Sequence, residues 1–318
     1  MSTAQSPQRP LRELPPAQRR ASALLRSLPL LRAMRPRQWT KNALCIAALI
    51  MGGRERDGTA DLRMLACVAL FCALSGSVYL ANDALDVERD RIHPTKKFRP
   101  VAAGEISLAG AWGWAAAIGG VGLLLGLGLG VHFFLITLAY MLLQAGYVFF
   151  LKHQVLLDVF AIALGYVLRA GAGAVAIGVT ISPWLYLCTI LGGLFLALGK
   201  RRQELIDLEG FAIAHRRNLG QYSVELVDQL ITIVAASTVA AYSLYTFSAP
   251  NLPRNGAMMA TIPFALYGLF RYLYLIHQHG QGGSPEEVLL RDRPLQVCIL
   301  LWGGTAVAMV GGLFGGTI

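Results

Sequence analysis

The sequence predicts an all-α membrane protein, a polytopic bundle of about nine transmembrane helices with a cytoplasmic N-terminus. Three observations predict it. Of 318 residues, 55% are hydrophobic and only 14% are charged, against about 25% charged in an ordinary globular domain. The apolar residues gather in runs that approach the roughly 20 residues needed to cross about 30 Å of hydrocarbon. The basic residues crowd into alternate connections between those runs, and it is this bias that orients a membrane protein.

The nine runs lie at approximately 43–53, 63–81, 108–129, 131–150, 155–178, 184–199, 228–248, 257–276 and 295–316. The first is short unless its polar flanks are recruited. Cys45, Cys67, Cys72, Cys188 and Cys298 all fall inside apolar runs, without CxxC or Cys/His spacing. They read as small core residues rather than disulfides or metal ligands. Residues 1–34 are rich in Pro and Arg with a single acid, Glu13. A disordered basic cytoplasmic tail is expected there, ahead of a transmembrane catalytic region at 35–318. An Arg-rich, acid-poor start also resembles an organelle transit peptide.

With the N-terminus inside and nine spans, 23 of the 28 Lys and Arg residues lie on the inner side. Arg54, Arg56, Arg63 and Arg254 fall outside, and Arg169 lies within a span. The expected location is therefore a bacterial inner (plasma) membrane, with the chemistry at the cytoplasmic face. The net charge of +10 reflects this orientation and favours anionic headgroups or substrate phosphates. No nucleic-acid partner is expected.

The second run ends in YLANDALDVERDRIHP. If the helix continues until Pro94 stops it, Asp83, Asp86 and Asp90 fall at i, i+3 and i+7, with Asn82 on the face of Asp86 and Asp90. Three carboxylates on one face repel one another unless a cation neutralises them. Hard oxygen ligands of this kind suit Mg²⁺ bridging to substrate phosphates. A lone DxxxD near Arg89 and Arg91 would be an ordinary solvated helix end; NDxxDxxxD closing a span points to a metal. The stretch PTKKFRPVAAG follows directly, with Lys96 and Arg99 as candidate clamps for phosphate oxygens.

Between the fourth and fifth runs lie Tyr147, Lys152 and Asp158. Arg169 is eleven residues beyond Asp158, about three turns, and so on the same helix face. Charges at such depth usually face a cavity, and Arg169 reads equally as a substrate ligand or as a structural partner for another helix's carbonyls. The small-residue run at 171–174 permits close helix packing. In GKRRQELID, Lys200 and Glu204 stand at i and i+4, a helix-surface ion pair or, with Arg201, a second ligand set. In RPRQWTKN, Trp39 reads as an interfacial anchor, and Lys41 and Asn42 are candidates at headgroup level. The last inner loop, with His277, His279, Pro285 and Glu287, has no ligand spacing.

From about residue 32 onward the chain resembles the UbiA superfamily of intramembrane prenyltransferases, nine-helix bundles with NDxxDxxxD after the second span and a second polar loop after the sixth. Within it, RPRQWTKN, NDALDVERDRIHPTKKFRPVAAG, LKHQVLLD with YVLRAGAGAVAIG, and GKRRQEL are similar to the polyprenyl-phosphate phosphoribosyltransferases. That resemblance implies Mg²⁺-dependent transfer of 5-phosphoribose from phosphoribosyl diphosphate to decaprenyl phosphate, releasing diphosphate, to make a lipid-linked pentose donor for cell-wall polysaccharide. It implies metal ligation by Asp83, Asp86 and Asp90, and catalytic roles for these with Lys152 and Asp158. It implies substrate contacts from Lys41, Asn82, Lys96, Arg99, Tyr147, Arg169, Lys200, Arg201 and Glu204. Self-association is left open. Two other readings stand beside it: transfer of a prenyl group from a prenyl diphosphate to an aromatic or haem acceptor, and transport of an anionic solute. The basic GKRRQEL suits a second phosphate better than an aromatic acceptor. The acidic cluster disfavours anion transport.

Overall fold

The computed structural model describes residues 28–46, 58–180, 182–207, 219–249, 252, 255–283 and 285–310, and every regular element among them is helical. A short α1 (Pro29–Ala33) leads into a 3₁₀ segment, Pro36–Ile46. Then come α2 (Gly58–Leu85), α3 (Val87–Arg91), α4 (Leu108–Gly126), α5 (Val131–Phe149), α6 (Leu157–Ile177) and α7 (Pro183–Asp207). The described chain closes with α8 (Val224–Ser248), α9 (Ile262–Gln278), α10 (Pro285–Arg291) and α11 (Arg293–Val310).

Seven helical segments among the described residues are long and apolar enough to cross a membrane: Gly58–Leu85, Leu108–Leu129, Val131–Phe149, Leu157–Ile177, Pro183–Asp207, Val224–Ser248 and Ala257–Gln278. They match the second to eighth predicted runs. Only residues 43–46 of the first run are described, and α11 carries the ninth up to the edge of the described residues. Most of the expected tail lies outside the described residues; Pro29–Ala33, at its end, are helical. Leu124 is 67% exposed and Leu300 74% exposed, as on a surface whose solvent is lipid. The chain is an integral membrane protein.

Local chemistry sets the helix ends. Ser223 caps α8, its hydroxyl accepting the Leu226 N–H at 3.1 Å, which satisfies one of the helix's orphan donors. Asp292 does the same for α11 by accepting from Leu295 N–H at 2.9 Å, and Arg271 holds it with a 2.8 Å ion pair. Gly178 closes α6 in the left-handed conformation, φ +68, open to glycine without steric cost.

The chain divides into two compact units. The first comprises the described residues up to Pro36 together with Ser75–Gly119. Its core joins Ala33, Leu80 and Ala115, and a second cluster joins Ala84, Val87, Val101 and Ala111. The second unit comprises Arg37–Leu74 and the chain from Gly120 onward. In it α7 packs between α6 and α8, α5 lies on α6, and α9 pairs with α11. One core gathers Val159, Phe195, Leu198, Ile231 and Tyr272; another gathers Cys67, Phe71, Phe133 and Tyr140. Lipid tails are as apolar as Leu, so close packing rather than escape from water must hold these helices together. Glycine makes that approach possible at two places. A Cβ at Gly173 would lie 2.1 Å from the Cys45 carbonyl oxygen, and one at Gly193 would lie 2.9 Å from Ala163 Cα.

All five cysteines are free, three of them buried, as the sequence predicts.

Candidate active site

The acidic motif closes α2, but not as an uninterrupted helix reaching Pro94. The helix breaks at Asp86 (φ −94, ψ 8), resumes as α3, and ends at Arg91. Two hydrogen bonds carry the chain through the break, Asp86 N–H to Asn82 O at 3.0 Å and Asp90 N–H to Asp86 O at 2.8 Å. The register of the acids is kept, and their burial differs. Asp83 and Asp90 are 1% and 3% exposed, while Asp86 turns to Arg89, 3.9 Å away. Among the described residues no three His, Cys, Asp or Glu side chains converge as a ready metal cage. The expected triad of carboxylates is thus a buried pair with a third, more exposed acid beside it.

Two arginines hold the buried pair. Arg99 bridges it, its Nη1 donating to Asp90 Oδ2 at 2.6 Å and to Asp83 Oδ1 at 3.2 Å. Arg35 pairs with the same Asp83 Oδ1 and stacks on the Tyr79 ring, 4.8 Å from its centroid. Asp83 Oδ2 is buried with no hydrogen-bond partner. Arg99 was predicted here and Arg35 was not, because a cation flanking a span looks like an orientation signal until its contact is seen. Its backbone was equally unforeseen: φ is +54, uncommon for a residue with a side chain. Asn82 is partly exposed beside Asp83, and Lys96 lies exposed in the loop beyond α3.

In the second unit the predicted residues form two networks. Asp158 is fully buried, forms an ion pair with Arg201, whose Nε lies 2.8 Å from Oδ2, and accepts from the Tyr222 hydroxyl at 2.9 Å. Arg201 is 1% exposed and also pairs with Glu204. Tyr222, which sequence reasoning missed, accepts the Leu156 N–H at 2.7 Å. That contact fixes the start of α6, where Leu156 has φ +66. Burial, and then the neighbouring Asp158 carboxylate, push the Tyr222 hydroxyl up to about 12. Asp158, expected among the catalytic residues, lies inside this network as the buried counter-ion of Arg201. Lys152 is buried near the start of α6, Tyr147 is partly buried at the end of α5, and Lys200 and Glu204 approach at 4.0 Å.

Arg169 is the centre of the other network. It donates to Asn42 Oδ1 at 2.9 Å, to its own helix at Gly165 O at 2.9 Å, and to the Tyr140 hydroxyl at 2.8 Å, with the Tyr140 ring 4.8 Å away. The carbonyl it meets belongs to its own helix and not, as the structural reading had it, to another, and its links to other segments run through the side chains of Asn42 and Tyr140. Lys41 donates to Gln38 at 2.5 Å and borders an apolar cavity of about 470 Å³ whose walls include Tyr166, Phe195, Leu269 and Trp302. The loop to which the sequence assigned nothing is also built in. His277 lies 3.3 Å from Asp228, which Arg202 grips at 2.6 Å, joining the ends of α7, α8 and α9.

A profile of the UbiA prenyltransferase family matches residues 43–285. The decaprenyl-phosphate phosphoribosyltransferase of Mycolicibacterium smegmatis is 38% identical over 295 residues, covering 88% of this chain and 92% of that protein. The protein of the same name from Corynebacterium glutamicum is 36% identical over 284 residues, covering 86% of this chain and 84% of that one. Among solved structures, a UbiA homolog from Archaeoglobus fulgidus bound to GPP and Mg²⁺ aligns with a TM-score of 0.69 at 20% identity, covering 89% of this chain and all of that one. The structural match attests the fold, and the sequence matches attest kinship over most of the chain. By its helices, its acidic motif and these relatives, the chain belongs to the UbiA prenyltransferase family.

Proposed function

We propose that the chain transfers 5-phosphoribose from phosphoribosyl diphosphate to decaprenyl phosphate, releasing diphosphate and making a lipid-linked pentose donor for cell-wall polysaccharide. The reading rests above all on kinship: relatives named for this activity share more than a third of their residues with this chain over most of its length. Its place is the inner (plasma) membrane with the site facing the cytoplasm, a reading supported by the skewed Lys and Arg distribution.

The residues present fit a divalent cation. Asp83 offers a buried carboxylate oxygen without a hydrogen-bond donor, and Asp90 and Asp86 add further hard oxygens. Mg²⁺ is content with one or two protein carboxylates plus substrate phosphates and water, so the buried pair, with Asp86 at its edge, is a sufficient set. When bound, it neutralises charge on the departing diphosphate.

The chain's own residues do the rest. The bond from C1 of the ribose to the diphosphate oxygen breaks, the diphosphate keeps the electron pair, and a phosphate oxygen of the lipid bonds to C1. That oxygen is already anionic at neutral pH, so no general base is needed. The developing positive charge at C1 is of the kind nearby carboxylates stabilise, a role for Asp86. Asn82 orients a carboxylate or donates to a phosphate oxygen. In the first unit Lys96 and Arg99 are ligands for phosphate oxygens; in the second Lys152 and Lys200 are, with Arg201 held by Asp158 and Glu204, and with Tyr147 and Lys41 as further polar contacts. The apolar cavity beside Lys41 accepts the proximal part of the polyprenyl tail. Arg169 contributes through the helices it ties.

Purified protein in detergent is to be incubated with Mg²⁺, decaprenyl phosphate and ribose-labelled phosphoribosyl diphosphate. Label is expected in the lipid phase, abolished by EDTA and reduced at least about 100-fold in Asp86→Ala. Consumption of a prenyl diphosphate with an aromatic acceptor, and no labelled lipid, would overturn the phosphoribosyl reading in favour of prenyl transfer. Because no membrane gradient exists in detergent, product formation also excludes a pure transporter.

A further inference from the structure

Arg35 lies outside the residues assigned above, yet it is bonded to the most deeply buried acid of the motif. Asp83 is 1% exposed, with Arg35 and Arg99 both on Oδ1 and nothing on Oδ2. Arg99 has a second acceptor in Asp90; the anionic partner of Arg35 is Asp83. Arg35 is also held in an unfavourable backbone conformation, φ +54, of the sort that persists only where surrounding contacts impose it. Those contacts are the Asp83 carboxylate and the Tyr79 ring.

Two buried carboxylates and two guanidiniums make a neutral cluster. A free divalent cation entering it would leave two uncompensated positive charges at low dielectric, which is costly. The same cation arriving with a diphosphate brings its own negative charge, and a guanidinium can then move from the carboxylate to a phosphate oxygen, an equally good bidentate acceptor.

We infer that Arg35 is a positioning residue that competes with the divalent cation for Asp83, so that the acidic motif binds metal weakly alone and accepts it together with the diphosphate of the substrate. The strained backbone favours release: once the carboxylate is taken by metal, the residue loses the contact that holds φ positive. This inference rests on the proposed metal-diphosphate function of the motif, but its test uses the metal alone.

Mn²⁺ is to be titrated into wild type, Arg35→Gln and Arg35→Lys in detergent, with bound metal followed by the loss of the free Mn²⁺ electron paramagnetic resonance signal. Arg35→Gln is expected to bind Mn²⁺ at least about fivefold more tightly than wild type, the scale of a typical coupling between sites. Arg35→Lys should lie between the two, because an ammonium keeps the charge but loses the fork and the stacking. Adding Asp83→Asn to Arg35→Gln should remove the gain. A purely structural Arg35 would leave Mn²⁺ affinity unchanged or lower it, and either result overturns the inference. Should Arg35→Gln not remain monodisperse, unchanged affinity in Arg35→Lys overturns it equally. Failure of phosphoribosyl transfer with a tightened Mn²⁺ site would indict the substrate assignment instead.

Discussion

Asp158 shows how a residue's surroundings decide its role. A carboxylate with no exposure is stable only because Arg201, the Tyr222 hydroxyl and the Val159 N–H all reach it. Removing one partner of such a buried pair is expensive, because the other charge remains. Tyr222 is the neutral member, and its hydroxyl both donates to Asp158 and accepts from Leu156. Tyr222→Phe should cost about 1–3 kcal/mol by leaving the Leu156 N–H unmet and taking from Asp158 Oδ1 one of its two donors. The pH dependence follows from the same contacts. Tyr222 binds its proton more tightly when folded, its value raised from 10.0 to about 12, so its contribution is complete below pH 10 and disappears as pH rises through 12. Thermal melting in detergent should therefore fall more steeply between pH 10 and 12 for wild type than for Tyr222→Phe. Parallel curves would place the shifted hydroxyl elsewhere.

At the scale of elements, α6 depends on what its neighbours leave room for. The run at 171–174 places glycines at 171 and 173, but the two are not equivalent. A Cβ at Gly171 meets nothing within 4 Å, whereas one at Gly173 would collide with the backbone of the 3₁₀ segment at Cys45. Overpacking of this kind costs typically 1–3 kcal/mol, so Gly173→Ala should lower the melting temperature and Gly171→Ala should not. Equal tolerance at both positions would mean that the close approach is not needed. Activity should follow stability here, because the 3₁₀ segment carries both Lys41 and Asn42, and Asn42 is bonded to Arg169 of α6.

At the scale of the whole molecule, the skewed distribution of basic residues predicts an orientation with the acidic motif on the cytoplasmic side. Lys97 is exposed in the basic loop after α3, and Gly128 is exposed with open space around it between α4 and α5. In a variant with the five native cysteines replaced, Lys97→Cys should react with a membrane-impermeant maleimide from the cytoplasmic side and Gly128→Cys from the opposite side only. Reversed labelling would invert the topology and place the acidic motif outside.

The spans, the free cysteines and the acidic motif were legible without coordinates, because each depends on local composition or on a spacing of a few residues. Hydrocarbon tolerates only long apolar stretches with internally paired backbones, so seven spans fell where the runs predict. What the spacing could not supply was the break at Asp86, or that Asp83 and Asp90 are buried while Asp86 is more exposed. Nor could it show which cation meets which anion. Arg35 lies 48 residues from Asp83, Tyr222 lies 64 from Asp158, and Asn42 lies 127 from Arg169. Arg169, read from its depth as either a substrate ligand or a structural partner, bonds Asn42 and Tyr140, while Arg35, unremarked at a span's edge, pairs with the buried Asp83. The sequence by itself determined a membrane-spanning helical bundle with an acid-rich and a base-rich motif. Only the tertiary structure decided which charges neutralise each other, because at low dielectric a buried charge is fixed by the partner it meets in space.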